Sequence, residues 1–542
     1  MYEGMKTGEM FCKKNIPYLI FIIILIMQMI MMTYFAHIKE GYHVDELWSY
    51  GLANSYYFPH IFMEDNLDLN WVDGDFFKSY ITVDEGERFT YDSVKFNMEH
   101  DSHPPMYFMI LHTISSFFPS IFSKWFGLMP NILCYGISAL MLYILSNKVF
   151  NNKYLALLPC VFWGFSKGAV SVVIYIRMYC MVTMWALCFA NLHYKMIFTK
   201  RQTFKNLVLV TAFTFCGFMT HYFFIIFAFF GAAYYSLFLM FQKRWKDFGK
   251  YCCAMAVNFI FVLSLYPRAF RYLFTEGYGS SMVQQMSYFE NWISNIKSFA
   301  NILDQQLFGY LGWKFLILLI FIMAAYLSIS FRRTENIIKV RFKLLGKSIF
   351  LTQQSILCNG FLVCSVVGYF IIVSKISPYL VDRYIFLIYP FIALIMVLFA
   401  VYAIKQCKFF QYGFAGVIIA MMFMTVKSYA LGVEYLYVGQ KEYPQIAKEY
   451  EGTDCLFITF DYYELVRDSL ELENFGKIHA IAPSNIELVS QFVKEIGCPD
   501  KMIIYFAPAY NNEETLKQVL ELSGYTNYEM LFSNICTAYI FS

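Results

Sequence analysis

The chain has 542 residues, of which 59% are hydrophobic and 15% are charged, and its mean hydropathy is +0.48. Soluble domains average nearer to half apolar and a quarter charged residues, so this composition excludes an ordinary soluble protein. The net charge of +3 is small, and no basic block with interleaved aromatic residues indicates nucleic-acid binding. We therefore predict a polytopic α-helical membrane protein with no nucleic-acid partner.

The chain starts with a short basic segment followed by a long apolar run. Lys6, Lys13 and Lys14 precede the run from Ile16 to Phe35, which is long enough to cross ~30 Å of hydrocarbon at about 1.5 Å per residue. The run lacks a small-residue cleavage site. We interpret it as an uncleaved signal anchor with a cytoplasmic N-terminus.

Further apolar runs of spanning length recur along the chain. They lie near 127–147, 154–174, 178–198, 205–221, 222–241, 251–267, 311–331, 352–374, 384–404 and 410–431. Lysine and arginine cluster in alternate loops between these runs, which places those loops in the cytoplasm. The sequence predicts about eleven transmembrane helices and an extracytoplasmic C-terminus in the cell membrane.

The apolar segment 104–122 does not fit this alternation as a span. A single crossing there would invert the orientation of every later loop, and Pro119 interrupts the segment. We predict an amphipathic helix in the outer membrane interface instead. It lies in a long, acidic first outer loop over 38–126, where most carboxylates are expected to form a solvated surface. A second outer loop covers 268–310.

The composition after about residue 431 becomes that of a soluble domain. Leu456–Phe460, Ile478–Ile481 and Met502–Phe506 are typical of short buried strands, and each precedes an amphipathic helical pattern. This alternation predicts a small exoplasmic α/β domain over 432–542, after a transmembrane domain over 1–431. No Gly-rich phosphate loop follows a strand, so nucleotide binding is not indicated.

The stretch Tyr42–Ser49 follows the first predicted span and contains the adjacent carboxylates Asp45 and Glu46. A solvated helix cap is one interpretation of the pair. Charges are costly close to hydrocarbon, however, and His43 is adjacent, which favours a functional role. A carboxylate there could act as a general base on an acceptor hydroxyl.

Asp101 and His103 precede Pro104-Pro105, which open the predicted interfacial helix. Prolines in a first helical turn are ordinary, and they do not account for the flanking acid and imidazole. A second acid/base, a divalent cation site formed by Asp45, Asp101 and His103, and a capping role all remain open. No cofactor is firmly implied.

Three further polar positions fall at predicted helix ends on the outer side. They are Arg177 with Tyr179, His221 with Tyr222, and Arg383 with Tyr384. Each could be an interface anchor or a packed polar contact. Arginine forks and helix N-termini also match the oxygens of a phosphate. Three such positions on one face favour an anionic ligand at the outer membrane surface.

In this order, the residues resemble the bacterial branch of the GT-C superfamily of glycosyltransferases, which includes protein O-mannosyltransferases and lipid A aminoarabinose transferases. The resemblance covers residues 15–404. It rests on Asp45-Glu46, His103-Pro104-Pro105, Arg177-x-Tyr179, Thr220-His221-Tyr222, and Arg383-Tyr384 with Pro390. The chain departs from several relatives because the helix that opens at Arg177 carries no second acid.

The resemblance implies transfer of a sugar from a polyprenyl-phosphate donor to a glycan, lipid or protein acceptor on the outer face, amid membrane lipids. Asp45 corresponds to the catalytic aspartate, with Glu46 or Asp101 as a second acid. Arg383, Arg177, Tyr384 and His221 would bind the donor phosphate, and His43, His103, Tyr179 and Tyr222 are further site residues. The alternatives are a transporter or flippase, or a structural membrane protein. Ionisable residues clustered on one face favour surface chemistry over passage.

Overall fold

A computed structural model describes residues 2–61, 71–268, 271, 291–325, 328–334, 337–344, 347–351, 353–404, 410–459 and 461–542. The chain is mostly helical and divides into two compact units. The first unit comprises Met1–Ala36, Ser102–Pro104 and Leu128–Glu434, and the second comprises His37–Asp101, Pro105–Gly127 and Tyr435–Ser542. The first outer loop and the C-terminal region thus belong largely to one unit.

The elements are numbered here in chain order. The first are α1 (Tyr2–Ile38), α2 (Val44–Asn54), β1 (Val72–Asp73), α3 (Gly74–Ile81), α4 (Tyr91–Glu99), α5 (Met106–Ser116) and α6 (Trp125–Phe150). Next come α7 (Leu157–Gly164), α8 (Lys167–Ile174), α9 (Tyr179–Thr199), α10 (Phe204–Thr220), α11 (Phe224–Phe241), α12 (Trp245–Leu265), α13 (Trp292–Phe308) and α14 (Gly312–Ala325). They are followed by β2 (Ser328–Thr334), β3 (Ile337–Leu344), β4 (Lys347–Leu351), α15 (Gln353–Ile376), α16 (Tyr389–Ile404) and α17 (Phe410–Tyr429).

The C-terminal elements alternate between helices and strands. They are α18 (Tyr443–Glu449), β5 (Cys455–Ile458), α19 (Tyr462–Arg467), α20 (Ser469–Leu472), β6 (Lys477–Ile481), α21 (Val489–Glu495), β7 (Met502–Phe506), α22 (Glu513–Ser523), β8 (Tyr528–Ser533) and β9 (Thr537–Phe541). Short 3-10 helices cover Glu85–Glu87, Asp382–Tyr384, Phe386–Ile388, Val438–Gln440 and Pro483–Leu488.

The first unit carries the membrane-spanning helices, and the chain is a multi-pass membrane protein. Within the described residues, seven helices are long and apolar enough to cross a bilayer, and the number reaches nine if each of two bent pairs is one span. A helix suits this environment because it satisfies its own backbone hydrogen bonds. The predicted total of about eleven is not confirmed by this count and stays a prediction.

One bent pair interrupts the predicted span 154–174. Helices α7 and α8 meet at 64°, and Ser166 caps α8 by accepting a hydrogen bond from the backbone N–H of Ala169 at 3.2 Å. Lys167 is the first residue of α8. Its buried Nζ lies 3.2 Å from Oε1 of Glu434, in the same unit.

The second unit is built on a six-stranded sheet with the order β1-β6-β5-β7-β9-β8. Strands β5, β6 and β7 are parallel and occupy the three apolar runs of the sequence, whereas β8 and β9 extend the sheet in antiparallel fashion. Their apolar side chains pack against α21 and α22 in a core that includes Ile458, Val489 and Val519. Phe460, at the end of one predicted strand, lies outside the described residues.

The first outer loop is part of this sheet and of its covering layer. Strand β1 pairs with β6, with Val72 opposite Ile478. Helix α3 approaches α20 so closely that a Cβ on Gly74 would lie 2.4 Å from the carbonyl oxygen of Glu473, and α2 packs against α19. Helix α5 has 11 residues, too few to cross a bilayer.

Some predictions fall on residues that the structure does not describe. Glu64, Asp65 and Asp68 of the acidic loop are among them, and so is most of the second outer loop, since only 268, 271 and 291–310 of it are described. Helix α13 occupies the end of that loop. Strands β2, β3 and β4 form an antiparallel sheet. They lie in one of the basic loops that the sequence predicts to be cytoplasmic.

Candidate functional site

The adjacent carboxylates Asp45 and Glu46 lie in the first turn of α2, after the N-cap residue His43. Nδ1 of His43 accepts the backbone N–H of Asp45 at 3.1 Å, and Oε2 of Glu46 accepts the backbone N–H of His43 at 2.7 Å. This reciprocal capping box satisfies donors that a helix start leaves without partners, and acids in the first turn also suit the helix dipole. The sequence therefore folds locally so that both acids have fixed backbone positions.

The two carboxylates have different surroundings. The side chain of Asp45 is 21% exposed, whereas that of Glu46 is fully buried and lies 2.9 Å from the buried Nζ of Lys39. Oδ2 of Asp45 is 3.7 Å from Nδ1 of His43. Because Nδ1 of His43 accepts a backbone hydrogen bond, it carries no proton, and its contact with Asp45 is not an ion pair.

Aromatic side chains surround this end of α2. The rings of Trp48 and Tyr463 lie 4.5 Å apart between centroids, and His60 meets Trp48 edge-on at 5.3 Å. Tyr463 belongs to α19, so the C-terminal region supplies part of the surface next to the acids. Nε2 of His60 lies 3.2 Å from the carbonyl oxygen of His100, and the predicted residue Asp101, also in this unit, is partly buried.

In the first unit, His103 and Arg177 are in direct contact. Nη2 of Arg177 lies 3.3 Å from Nε2 of His103, and Nδ1 of His103 lies 3.2 Å from Oγ of Ser102. A guanidinium can only donate, so Nε2 is the acceptor and His103 is neutral in this arrangement. Arg177 is 5% exposed and precedes α9. A buried guanidinium held in this way is a strong site for an anion.

His221 lies beside this pair at the turn between α10 and α11. Its ring centroid is 6.1 Å from that of His103 and 5.2 Å from that of Tyr179, and Nδ1 accepts the backbone N–H of Phe223 at 3.1 Å. Because Nδ1 accepts this hydrogen bond, it carries no proton, and the neutral imidazole of His221 can donate from Nε2.

Arg383 and Tyr384 lie in the 3-10 helix before α16. Nη1 of Arg383 donates to the hydroxyl of Tyr175 at 3.3 Å, and the Tyr175 ring stacks on that of Tyr179 at 5.8 Å and 12°. The carbonyl oxygen of Tyr384 accepts from the Tyr369 hydroxyl at 2.7 Å. Tyr175 thus links Arg383 to the residues around Arg177.

The structure brings together many of the predicted residues within each unit. His103, Arg177, Tyr179, His221 and, through Tyr175, Arg383 form one network in the first unit, where the ring of the buried Tyr222 contacts that of Phe218 at 5.4 Å. Asp45, Glu46, His43 and Asp101 belong to the second unit. The assignment of the acids and the arginines to one site, which the resemblance implies, stays a prediction.

Sequence reasoning missed two partners of the predicted residues. Tyr175 lies in an apolar stretch, although the alternation of Tyr175, Arg177 and Tyr179 was visible. Lys39 follows the first span and resembles an interface anchor. Within the described ranges, no group of three or more His, Cys, Asp or Glu residues is arranged to hold a metal ion, so the cation site suggested by the sequence stays open.

Comparisons with known proteins bear on the fold. No family model and no curated protein sequence matches the chain. Among solved structures, it is similar to ArnT from Cupriavidus metallidurans bound to undecaprenyl phosphate, with a TM-score of 0.52 and 11% identity over 97% of this chain and 98% of that chain.

Two further solved structures are similar at lower scores. ArnT from the same organism in the apo state gives a TM-score of 0.44 and 11% identity, covering 81% of this chain and 87% of that chain. The oligosaccharyltransferase of Archaeoglobus fulgidus tethered with an acceptor peptide gives a TM-score of 0.41 and 10% identity, covering 79% of this chain and 64% of that chain. ArnT, a lipid A aminoarabinose transferase, and the oligosaccharyltransferase are members of the GT-C superfamily. The whole-length similarity to ArnT shows that this chain has a GT-C fold, as its sequence motifs predict.

Proposed function

We propose that the protein is an integral-membrane glycosyltransferase that moves a sugar from a polyprenyl-phosphate-linked donor to an acceptor on the outer face of the cytoplasmic membrane. The observation that carries the proposal is the buried Arg177 bonded to His103, in a chain whose fold is similar over its whole length to ArnT bound to undecaprenyl phosphate. A guanidinium can make two parallel hydrogen bonds to phosphate oxygens, and a lipid phosphate places such oxygens at the membrane surface.

The donor side follows from the network in the first unit. Arg177 and Arg383 neutralise the phosphate as the bond between it and the anomeric carbon breaks, and the phosphate leaves with the electron pair. The neutral imidazole of His221 can donate a hydrogen bond from Nε2 to a phosphate oxygen, and Tyr384 lies beside Arg383. Charge stabilisation of this kind is strong where water is excluded, which suits a cluster in which Arg177, Tyr179 and His221 are buried.

The acceptor side is assigned to Asp45. The acceptor hydroxyl attacks the anomeric carbon, a new carbon–oxygen bond forms, and the proton of the hydroxyl passes to the Asp45 carboxylate. Asp45 suits this role better than Glu46 because its side chain is partly exposed, whereas Glu46 is buried against Lys39. The sugar and the acceptor are to be identified by mass spectrometry of surface glycans and lipids from cells with and without the gene.

The test uses the full chain in lipid nanodiscs with a panel of polyprenyl-phosphate-linked sugars. Asp45→Asn is expected to reduce transfer by at least about 100-fold while binding of the polyprenyl phosphate persists. Asp92→Asn is the matched control, because Asp92 is an exposed carboxylate on α4 of the same unit. Unchanged transfer by Asp45→Asn would reject the base, and donor translocation without any transfer would favour a flippase.

A further inference from the structure

The ion pair between Lys39 and Glu46 separates the two adjacent acids into different environments. Successive residues on a helix point about 100° apart, so Asp45 and Glu46 cannot face the same side of α2. Glu46 points into the second unit, where its carboxylate and the Lys39 ammonium are both fully buried at 2.9 Å. The pair leaves Asp45 as the partly exposed acid at this helix start.

Both members of the pair make further hydrogen bonds, which a buried ion pair needs. Oε2 of Glu46 also accepts the backbone N–H of His43, and Nζ of Lys39 also donates to the carbonyl oxygen of Tyr435. Nζ of Lys39 lies 5.6 Å from the ring centroid of Tyr42 and 5.5 Å from that of Tyr437. Burial lowers the pKa of Lys39, and the Glu46 carboxylate opposes this effect.

The chain that leads into α2 is held from two sides within the same unit. On one side, Nζ of Lys124 donates a hydrogen bond to the carbonyl oxygen of His37 at 2.7 Å and another to the carbonyl oxygen of Lys39. On the other side, the backbone N–H of Glu40 donates to the carbonyl oxygen of Leu436 at 3.2 Å. The approach is close, because a Cβ on Gly41 would lie 2.6 Å from Cβ of Tyr437.

We propose that Lys39 and Glu46 are positioning residues, whose ion pair, held by contacts to residues 435–437, fixes the start of α2 and thereby the carboxylate of Asp45. These contacts give the C-terminal region a role in the reaction, because residues 435–437 hold the start of the helix that carries the base. This inference rests on the proposed function for the role of Asp45, and its test is designed to separate the two.

The test is a double-mutant cycle of Lys39→Met and Glu46→Gln in the full chain. Each single variant leaves one buried polar partner uncompensated, so kcat for transfer should fall about 10- to 100-fold while the KM for the donor stays within about threefold. The double variant has no buried charge at these two positions, and the amide introduced by Glu46→Gln can still accept the His43 N–H. Its kcat should recover to within about fivefold of wild type.

A second measurement does not depend on transfer. Labelling of Asp45 by a water-soluble carbodiimide, quantified by peptide mass spectrometry, reports the exposure and environment of that carboxylate. The rate at which Asp45 is labelled should differ from wild type in both single variants and return to the wild-type value in the double variant. Lys517→Met and Glu513→Gln are the matched control, because Lys517 and Glu513 form an exposed pair on α22 of the same unit.

The outcomes distinguish the positioning role of the Lys39–Glu46 ion pair from the proposed role of Asp45 as the base. A kcat loss in the double variant equal to the product of the single losses would overturn the positioning role, and so would unchanged labelling of Asp45 in both single variants. If Asp45→Asn retains transfer while the labelling cycle still shows recovery, the proposed base is wrong but the ion pair does fix Asp45.

Discussion

Nη2 of Arg177 and Nε2 of His103 lie 3.3 Å apart although the residues are separated by 74 positions in the chain. The contact fixes the orientation of a buried guanidinium. Arg177→Lys replaces the planar fork by a single ammonium that cannot make two parallel bonds to a phosphate. A hydrogen bond to a charged group contributes about 1.5–3 kcal/mol, so the KM for the polyprenyl-phosphate sugar should rise about 10- to 100-fold.

His103→Gln is the matched variant for this prediction. The glutamine side chain offers a carbonyl oxygen that can accept from Arg177, so the rise in KM should be smaller than for Arg177→Lys. Steady-state kinetics with the donor varied measures both. If Arg177→Lys behaves like wild type, the assignment of Arg177 to the donor phosphate is wrong.

Tyr175 connects Arg383 to the network, and its hydroxyl tests that connection. Tyr175→Phe removes the acceptor that lies 3.3 Å from Nη1 of Arg383 without changing the ring that stacks on Tyr179. One hydrogen bond contributes about 0.5–1.5 kcal/mol, so the donor KM should rise about two- to tenfold. Tyr143→Phe is the control, because the buried Tyr143 hydroxyl has no hydrogen-bond partner among the described residues. Equal effects of the two variants would contradict the prediction.

The elements that could be predicted from sequence are those with a local pattern. Apolar runs of spanning length and three short apolar strands depend on composition over a few residues, and helices and β5, β6 and β7 occupy those positions. The break between α7 and α8 also had a local cue, since Ser166 and Lys167 interrupt an apolar run. Hydropathy averaged over a whole span does not register such a cue.

The contacts that could not be predicted depend on residues distant in the chain. Val72 pairs with Ile478, and nothing in a two-residue strand specifies that partner. The link from Arg383 to Tyr175 likewise spans 208 positions. Lys39 and Glu46 are only seven positions apart, but their contact requires the turn between α1 and α2, which side-chain periodicity does not reveal.

Glu471 offers a test of buried charge in the second unit. Its side chain is buried, and burial together with the charge of Asp468 raises the pKa of Glu471 from 4.5 to about 8. Between pH 4.5 and about pH 8 the folded state keeps a proton that the unfolded state releases. The free energy of unfolding therefore falls as the pH rises through this range. Glu471→Gln removes the titration. The variant should match wild type near pH 4.5 and unfold at least about 3 °C higher near pH 9.

Thermal unfolding followed at several pH values measures this difference. Glu513→Gln, which changes an exposed carboxylate paired with Lys517, should show no comparable growth of the difference with pH, because exposed pairs contribute little. A Glu471→Gln variant that is less stable than wild type at pH 9 would show that Glu471 is ionised and stabilising there.

The orientation predicted from the basic loops can be tested by labelling single cysteines. Asp92→Cys lies on α4 in the first outer loop, and Lys246→Cys lies at the start of α12 among basic residues; both positions are exposed. In a background without the 14 native cysteines, a membrane-impermeant maleimide added to intact cells should label the first variant and leave the second unlabelled. Both should react after permeabilisation, which controls for access. Labelling of Lys246→Cys in intact cells would invert the topology, and a base at Asp45 would then face the cytoplasm, where the proposed outer-face transfer cannot occur.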